Sequence, residues 1–268
     1  MKKISVLGCG WLGFPLAKNL ISQGNVLKGS TTSSEKLKEL VAANIQPFKI
    51  ILNEDNIDGD IDSFLGESDL LIINIPPRLR RNPNVNHVAE IQNLIPHIES
   101  SKIEQVVFVS STSVFKDEYD FPKIENDSVP NSEKQNSIQL RKVEQLFRGS
   151  NKFKTTIIRC AGLFDEKRHP GFVLSGKTYI SNPEAPINLV HKNDVISVIS
   201  SIIKLEELPL QINLSYPYHP TKKSYYTSFC ETRNLALPKF DETQKSKGKI
   251  INSKFVERLL DYSWQFKP

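Results

Sequence analysis

The chain has 268 residues, of which 38% are hydrophobic and 24% are charged, which is the composition of an ordinary globular protein. Its formal charge of +5 comes from 35 Lys and Arg residues against 30 Asp and Glu residues, and the basic residues are scattered along the chain. This composition excludes a disordered or fibrous protein, and it offers no basic tract for nucleic acid.

Cys9, Cys160 and Cys230 are an odd number of cysteines that lie far apart. They have neither the paired spacing of a zinc site nor the density of a disulfide framework. We therefore expect no metal site and a cytoplasmic location. The apolar run before Cys9 is only residues 4–7, which is too short for a secretory signal. No segment reaches the roughly 20 apolar residues of a membrane helix, so we expect no membrane partner.

Short apolar runs alternate with amphipathic stretches through the first part of the chain. The predicted strands are residues 3–7, 26–30, 48–52, 70–75, 105–110 and 155–160. The predicted helices are residues 12–23, 35–43, 85–100 and 137–147, with Ser33 or Ser34 as the N-cap of the second. Regular alternation of strand and helix predicts an α/β fold with a doubly wound parallel sheet of the Rossmann type.

After residue 160 the alternation gives way to a region interrupted by proline and glycine, followed by a helical pattern over residues 193–204. The polar residues 216–226 and 239–249 predict surface loops. We therefore predict two domains, a dinucleotide-binding Rossmann domain over residues 1–160 and a small C-terminal α+β lobe over residues 161–268. Because open α/β sheets bind ligands at their carboxyl edge, we expect the lobe to supply the substrate side.

The segment Gly8-Cys9-Gly10-Trp11-Leu12-Gly13 directly follows the first predicted strand and opens the first predicted helix. In such a turn the glycine backbone can approach a pyrophosphate while the helix N-terminus supplies N–H donors. A G-x-G-x-x-G pattern alone is weak evidence, since any tight turn needs glycine, but its position between strand and helix favours dinucleotide binding. The predicted cofactor contacts in this turn are Gly8, Gly10, Trp11, Leu12 and Gly13.

The end of the second predicted strand indicates which dinucleotide binds. NAD enzymes usually place an acidic residue there for the adenosine ribose, whereas this chain has the hydroxyl-rich segment Ser30-Thr31-Thr32-Ser33-Ser34-Glu35-Lys36. Hydroxyl and ammonium donors suit a 2′-phosphate, so NADP is preferred over NAD. An alternative is that these residues only cap the next helix. The predicted contacts here are Ser30, Thr31, Thr32, Ser33 and Lys36, and those at later strand ends are Ile75, Pro76 and Ser110.

Four segments resemble, in order, those of a known family. They are Gly8–Gly13, VFVSSTSVF at residues 107–115, RCAGLF at residues 159–164 and NLVHKNDV at residues 188–195. Together they resemble the extended short-chain dehydrogenase/reductase family, the NAD-dependent epimerase/dehydratase group, and most closely its atypical members. The resemblance spans residues 3–204. It implies an NAD(P)-binding oxidoreductase or epimerase that acts on a small anionic or nucleotide-sugar-like substrate, as a monomer or a homodimer.

Members of that family relay protons through a Ser or Thr after the fifth strand and a Tyr-x-x-x-Lys pair on the next helix. The resemblance places Ser111 at the Ser position, but the family spacing points to Asn136 and Leu140 where Tyr and Lys would stand. Both residues of the pair are therefore missing. Either the chemistry uses a different acid or base, or the protein is a catalytically silent NADP(H)-binding sensor or regulatory module.

Candidate replacements lie after the fifth predicted strand and in the C-terminal part. Tyr119, with Asp117 and Glu118, follows the serine-rich segment, where loop residues would face the nicotinamide end; a solvent-facing acidic loop is the alternative. His191 is a candidate because histidine is a common general acid or base, while Asp194 is expected to cap the helix that follows it. The predicted catalytic residues are Ser111, Tyr119 and His191.

The loop after the fourth predicted strand is basic, with Arg78, Arg80 and Arg81 close together. Guanidinium groups at the carboxyl edge of a sheet could clamp a phosphate or a carboxylate. Ordinary solvated arginines are at least as good an interpretation. The loop is thus compatible with an anionic substrate without requiring one.

Overall fold

The structure is a computed structural model that describes residues 1–77 and 85–268. The strands within these residues are β1 (Lys3–Leu7), β2 (Val26–Thr31), β3 (Gln46–Lys49), β4 (Ile51–Leu52), β5 (Ile57–Asp58), β6 (Leu70–Ile73), β7 (Gln105–Ser111), β8 (Lys123–Ile124), β9 (Lys154–Cys160), β10 (Gly162–Phe164), β11 (Leu189–His191), β12 (Gln211–Leu214) and β13 (Ile250–Ile251). The helices are α1 (Gly13–Ser22), α2 (Lys36–Ala42), α3 (Ile61–Leu65), α4 (His87–Glu99), α5 (Gln135–Gly149), α6 (Pro170–Leu174), α7 (Lys192–Ile202), α8 (Lys222–Glu231) and α9 (Lys254–Leu260). In the described part of the chain, no helix combines the length and apolar composition needed to cross a membrane.

Seven strands form the main sheet in the order β12-β9-β7-β6-β1-β2-β3. β1 pairs in parallel with β2 and with β6, and the pairs β2–β3 and β6–β7 are also parallel. β6 is buried along its whole length, as a central parallel strand covered on both faces requires. The predicted α/β fold with a doubly wound, Rossmann-type parallel sheet is confirmed. The strand order reverses between β1 and β6, which is where such sheets bind ligands.

The core fixes the position of the turn between β1 and α1. Ile4 and Val6 of β1 are fully buried, and so are Leu16, Ala17 and Leu20 of α1. The spacing of these helical residues places them on one face, which is the face that packs on the sheet. The short connection between the two elements therefore has little freedom to move.

Two local predictions in the N-terminal part are wrong. The predicted strand at residues 48–52 is divided between β3 of the main sheet and β4, which pairs antiparallel with β5. α2 begins at Lys36 without a side-chain cap, so neither Ser33 nor Ser34 is its N-cap. The Ser33 N–H instead donates to the hydroxyl of Thr31, 3.2 Å away, and this local bond competes with capping.

The predicted surface loop at residues 216–226 is also wrong in its second half, because α8 begins there. The hydroxyl of Thr221 caps α8 by accepting the Ser224 N–H. Tyr226 is buried and packs in a small core with Phe164 and others. Tyrosine next to lysine and serine looks polar in sequence, but its ring supplies core area when the hydroxyl end stays near the surface.

The chain divides into two compact units. The first comprises Met1–Ser111, Glu133–Ile158 and Ile199–Gln211, and the second comprises Thr112–Ser132, Arg159–Val198 and Ile212–Pro268. The second unit contains the small two-stranded sheets β10–β11 and β13–β8. The division of the sequence at residue 160 into two domains stays a prediction about how the chain folds.

Candidate functional site

The turn between β1 and α1 is tied to the end of β2 by backbone donors. The Gly8 N–H donates to the hydroxyl of Ser30 at 2.9 Å, and the Cys9 N–H donates to the Ser30 carbonyl at 2.7 Å. The Gly10 N–H closes the turn on the Gly8 carbonyl at 2.9 Å. Ser30 is buried, so within this structure its hydroxyl fixes the shape of the turn.

The three glycines of the motif have different reasons to lack a side chain. Gly8 has φ +99°, a conformation that favours glycine, and a Cβ there would lie 2.6 Å from the Asn74 carbonyl oxygen. A Cβ on Gly13 would lie 2.2 Å from the Gly8 carbonyl oxygen. A Cβ on Gly10 would meet no atom within 4 Å among the described residues other than its chain neighbours. Packing therefore explains Gly8 and Gly13, whereas the space at Gly10 is open to a ligand.

The N-terminus of α1, which is the positive end of the helix dipole, lies at this turn. Leu12 is the N-cap residue and makes no side-chain cap hydrogen bond, and the first turn of α1 carries no acidic residue. The N-terminal end of a helix carries partial positive charge, and here no side chain of α1 neutralises it. The arrangement suits an anionic group such as a phosphate.

Asn74 is a residue of this site that sequence reasoning missed. It follows β6 at the point where the sheet order reverses, its N–H donates to the Leu7 carbonyl at 2.9 Å, and its side-chain amide donates to the Gly8 carbonyl at 3.3 Å. A single polar residue after an apolar run carries no signal of such a role. Of the predicted contacts that follow it, Ile75 is half-buried and Pro76 is exposed.

The hydroxyl-rich segment after Gly29 separates into buried and exposed residues. Ser30 and Thr31 are buried, and the hydroxyls of both accept backbone N–H groups. Thr32 and Lys36 are exposed, and Ser33 is half-buried. Thr32, Ser33 and Lys36 are thus the members of this predicted set that a ligand at the end of β2 could reach.

The region of β7 and α5 lacks the proton relay of the family. Ser110 is buried and its hydroxyl donates to the Glu144 carboxylate at 2.6 Å. Ser111 ends β7 and is half-buried. On α5, Asn136 is exposed and Leu140 is buried in the core. No tyrosine occurs in α5, and the two positions predicted to replace the Tyr and Lys of the family carry an exposed amide and a buried apolar side chain.

Tyr119, a predicted catalytic residue, lies in a segment of the second unit that Lys249 holds in place. The buried ammonium of Lys249 donates to the Asp117 carboxylate and to the Phe115 carbonyl, each at 2.8 Å. Tyr119 is exposed, and the Lys247 ammonium lies 4.5 Å from the centre of its ring. Asp117 therefore acts as an ion-pair partner, and Tyr119 has a cation against its ring.

His191, the other predicted catalytic residue of the second unit, is buried at the end of β11. Its Nδ1 accepts the Asn193 N–H at 3.2 Å, so in the neutral ring the hydrogen is on Nε2. Nε2 makes no hydrogen bond, although the Glu166 carboxylate lies 3.3 Å from it. The ring stacks on Phe266 with centroids 4.3 Å apart.

Asp194 does not cap the helix as predicted, since α7 already begins at Lys192. Its fully buried carboxylate accepts the Tyr262 hydroxyl at 2.7 Å, the Gln265 N–H at 3.0 Å and the Phe266 N–H at 3.3 Å. Three donors satisfy a buried carboxylate that would otherwise be costly. Burial and the hydrogen bond to Asp194 raise the pKa of Tyr262.

The predicted catalytic residues are not gathered into one constellation within either unit. Ser111 belongs to the first unit, and Tyr119 and His191 belong to the second. Among the described residues of the second unit, no hydrogen bond or ring contact joins Tyr119 to His191. The basic residues Arg78, Arg80 and Arg81 lie outside the residues that the structure describes.

The amino-acid sequence of this chain is similar to those of known proteins. Residues 3–123 match the family model for the NAD binding domain of 6-phosphogluconate dehydrogenase. Protein YeeZ of Escherichia coli (strain K12) is 29% identical over 269 residues, which cover 99% of this chain and 97% of that protein.

Solved structures share the fold over nearly the whole chain. UDP-glucuronic acid 4-epimerase from Bacillus cereus, in complex with UDP-glucuronic acid and NAD, has a TM-score of 0.79 and 14% identity, covering 99% of this chain and 95% of that one. A short-chain dehydrogenase/reductase superfamily protein from Agrobacterium tumefaciens with bound NAD has a TM-score of 0.73 and 13% identity, covering 99% and 93%. The resemblance read from the sequence is confirmed at the level of the fold: the chain has the fold of epimerases and short-chain dehydrogenases/reductases, and its residues 3–123 are related to NAD-binding domains.

Proposed function

We propose that this protein binds a nicotinamide dinucleotide on the turn between β1 and α1, with NADP preferred over NAD. The open space at Gly10 carries the proposal, because no protein atom lies within 4 Å of a Cβ at that position. Glycine is costly in conformational entropy, so a glycine that the protein's own packing does not need suits close approach of a ligand. The family match over residues 3–123 supports the same class of ligand.

The preference for NADP rests on the end of β2. Thr32 and Lys36 are exposed there, and residues 26–34 contain no carboxylate. A 2′-phosphate gains from hydroxyl and ammonium donors, whereas a free ribose diol gains from a carboxylate acceptor. The chemistry of this segment therefore favours the phosphorylated dinucleotide.

Calorimetric titration of the cofactor-stripped protein with NADPH and, separately, with NADH tests this proposal. We expect NADPH to bind more tightly than NADH, and Gly10→Leu to weaken NADPH binding at least about 100-fold while the protein stays folded. Gly149→Ala is the matched control, since a Cβ there also meets no protein atom within 4 Å. If neither dinucleotide binds the wild-type protein, the proposal fails.

We further propose that the bound dinucleotide serves an oxidoreductase or epimerase reaction on a small anionic or nucleotide-sugar-like substrate. The B. cereus epimerase with the same fold binds UDP-glucuronic acid and NAD, which supports this substrate class. The dinucleotide would supply or accept a hydride. Ser111, half-buried at the end of β7, would hold a substrate hydroxyl, and proton transfer would fall to Tyr119 or His191 in place of a tyrosine on α5.

A second candidate function is a catalytically silent NADP(H)-binding sensor. The observation that favours it is α5, where Leu140 is buried and no tyrosine is present. A panel of carbonyl substrates with NADPH distinguishes the two. Turnover that is lost in Ser111→Ala, Tyr119→Phe or His191→Asn supports the enzyme. NADPH-dependent protection from proteolysis without turnover on any substrate supports the sensor.

A further inference from the structure

A cavity of about 920 Å³ is formed only by residues of the second unit. We name it the aromatic pocket, and its lining includes Phe164, His169, Phe172, His191, Phe229 and Arg233. Its volume is in the range of small-molecule sites, about 300–1,000 Å³. None of these residues belongs to the glycine turn, so the pocket needs its own explanation.

One wall of the aromatic pocket is a stack of flat groups that ends in a positive charge. The His169 ring lies parallel to the Phe229 ring with centroids 4.0 Å apart, and the Arg233 guanidinium lies 4.0 Å from the centre of the Phe229 ring. Phe172 meets Phe229 edge-on at 5.2 Å and is 46% exposed. Phe229 is therefore covered on both faces, and the exposed ring of Phe172 is the aromatic surface that a planar ligand can meet.

The same wall presents hydrogen-bond donors to the cavity. His169 Nδ1 accepts the Gly171 N–H at 3.0 Å, so Nε2–H of the neutral ring donates to the Tyr225 hydroxyl at 2.9 Å. Burial, with a contribution from Arg233, lowers the pKa of His169 to about 4, which keeps the ring neutral near pH 7. The Tyr225 hydroxyl hydrogen is thereby left to donate to an acceptor in the pocket.

His191 adds a buried donor that makes no hydrogen bond of good geometry with any residue that the structure describes. The residue is 2% exposed and lines the pocket, and its Nε2 has no hydrogen-bond partner. A buried donor without an acceptor costs about 1–3 kcal/mol, so an acceptor atom of a ligand would offset that cost. The carboxylate of Glu166, whose side chain is 78% exposed, lies 3.3 Å from Nε2, and a ligand carboxylate would take its place.

The charge on the lining favours an anion. Arg233 and Lys267 are basic lining residues, and the acidic Asp165 is paired with Lys192 at 2.7 Å. Glu166 is the remaining acidic residue of the lining, and it opposes an anion from an exposed position. With Asp165 paired, the remaining charged side chains of the lining are Arg233 and Lys267 against Glu166, an excess of one positive charge.

We propose that the aromatic pocket binds a small carboxylate that carries a planar ring. The ring lies against Phe172, and the carboxylate displaces the exposed Glu166 side chain, accepts the His191 Nε2–H and gains from the positive charge of Arg233. This inference goes beyond the dinucleotide site and does not depend on it. It assigns His191 a binding role that is separate from proton transfer.

The probe for the test is 2-naphthoate, titrated calorimetrically into the full-length protein. We expect binding that weakens about tenfold or more for uncharged 2-naphthamide and for His191→Asn, since a hydrogen bond to a charged group is lost. Asn keeps an acceptor for the Asn193 N–H but cannot reach the Nε2 position, whereas His191→Gln restores an amide donor there and should bind within about threefold of wild type. Equal binding of both probes, or wild-type affinity in His191→Asn with wild-type thermal stability, overturns the proposal.

The charged residues of the lining allow a second, independent test of the proposal. We expect Arg233→Gln to weaken 2-naphthoate binding and Glu166→Gln to tighten it, each by about threefold to tenfold. Arg258→Gln on α9, exposed and outside the lining, should change nothing. Weaker 2-naphthoate binding in Glu166→Gln would mean that the Glu166 carboxylate does not repel the ligand, and would overturn the proposal. Gly10→Leu should bind 2-naphthoate as wild type does, which separates this result from the fate of the dinucleotide site.

Discussion

The glycine turn and the aromatic pocket offer donors to a ligand in different ways. In the turn the donors are backbone N–H groups and a helix N-terminus, and the protein's contribution is the empty space at Gly10. In the pocket the donors are the side chains of His191, Tyr225 and Arg233. Binding to backbone donors should be lost when a glycine is replaced by a larger residue. Binding to side-chain donors should be lost when those side chains are truncated.

Gly13→Val should destabilise the protein by more than about 3 kcal/mol. The added Cβ would lie 2.2 Å from the Gly8 carbonyl oxygen, and Gly8 cannot retreat because its N–H is bonded to Ser30. Gly10→Val, where the Cβ has open space, should cost less than about 1 kcal/mol. Urea denaturation followed by circular dichroism measures both values. Equal costs would contradict the separation of a packing glycine from a ligand glycine within one motif.

Leu140→Lys tests whether a side-chain donor can be returned to α5. Leu140 is buried, so an unpaired ammonium at this position should destabilise the protein by about 3 kcal/mol. Asn136→Tyr, at an exposed position of the same helix, should change stability by less than about 0.5 kcal/mol. Thermal and urea denaturation give the comparison. A stable Leu140→Lys protein with tighter NADPH binding would show that this position faces the dinucleotide, against our interpretation of α5 as core.

The turn could be predicted from sequence because all its parts are local. Strand, glycines and helix are consecutive, and the backbone geometry that they require depends on few distant residues. Asn74 escaped prediction because its contact with Gly8 is made across the sheet by residues 66 positions apart in the chain. For the same reason the fold could be predicted, because it follows from repeated local patterns. Individual contacts between side chains distant in sequence could not.

The pocket could not be predicted because its residues come from segments that show no common pattern. His169, His191 and Phe229 are brought together by α6, β11 and α8, and part of α8 resembles a polar loop in sequence. Asp194 is a related case, since a carboxylate at the start of a helix suggests a cap, whereas here it binds residues 262–266. Such roles depend on tertiary packing and produce no local sequence pattern.

The free energy of unfolding should fall less at acid pH in His169→Asn than in the wild-type protein. The pKa of His169 is lowered from 6.5 to about 4 in the folded protein, so between these values the unfolded chain binds a proton that the folded ring does not. Stability is therefore fully present above about pH 6.5 and falls as the pH is lowered toward 4. At pH 5 the loss relative to pH 7 is on the order of 1 kcal/mol, since solvent screens part of the effect.

Urea denaturation of wild type and His169→Asn at pH 7 and pH 5 measures this loss. Asn keeps the α6 cap by accepting the Gly171 N–H, so the variant's lower stability at pH 7 reports the lost ring stacking and the lost hydrogen bond to Tyr225. The pKa of His219 is also lowered by burial, but that residue is present in both proteins and its effect cancels. An unchanged pH dependence in the variant would mean that His169 is not held neutral in the pocket wall.

The smallest expected effect concerns the choice between the two dinucleotides. Lys36→Glu replaces the exposed ammonium at the start of α2 with a carboxylate and should weaken NADPH binding by about threefold to tenfold, with little loss for NADH. Lys38→Glu, exposed on the same helix, is the matched control, and raising the salt concentration should shrink the difference because exposed charges are screened. Such a result would mean that the backbone of the turn holds the shared pyrophosphate while side chains at the end of β2 select the cofactor. Equal weakening of NADPH and NADH would instead place Lys36 beside a group that both dinucleotides share, and the preference for NADP would lose its support.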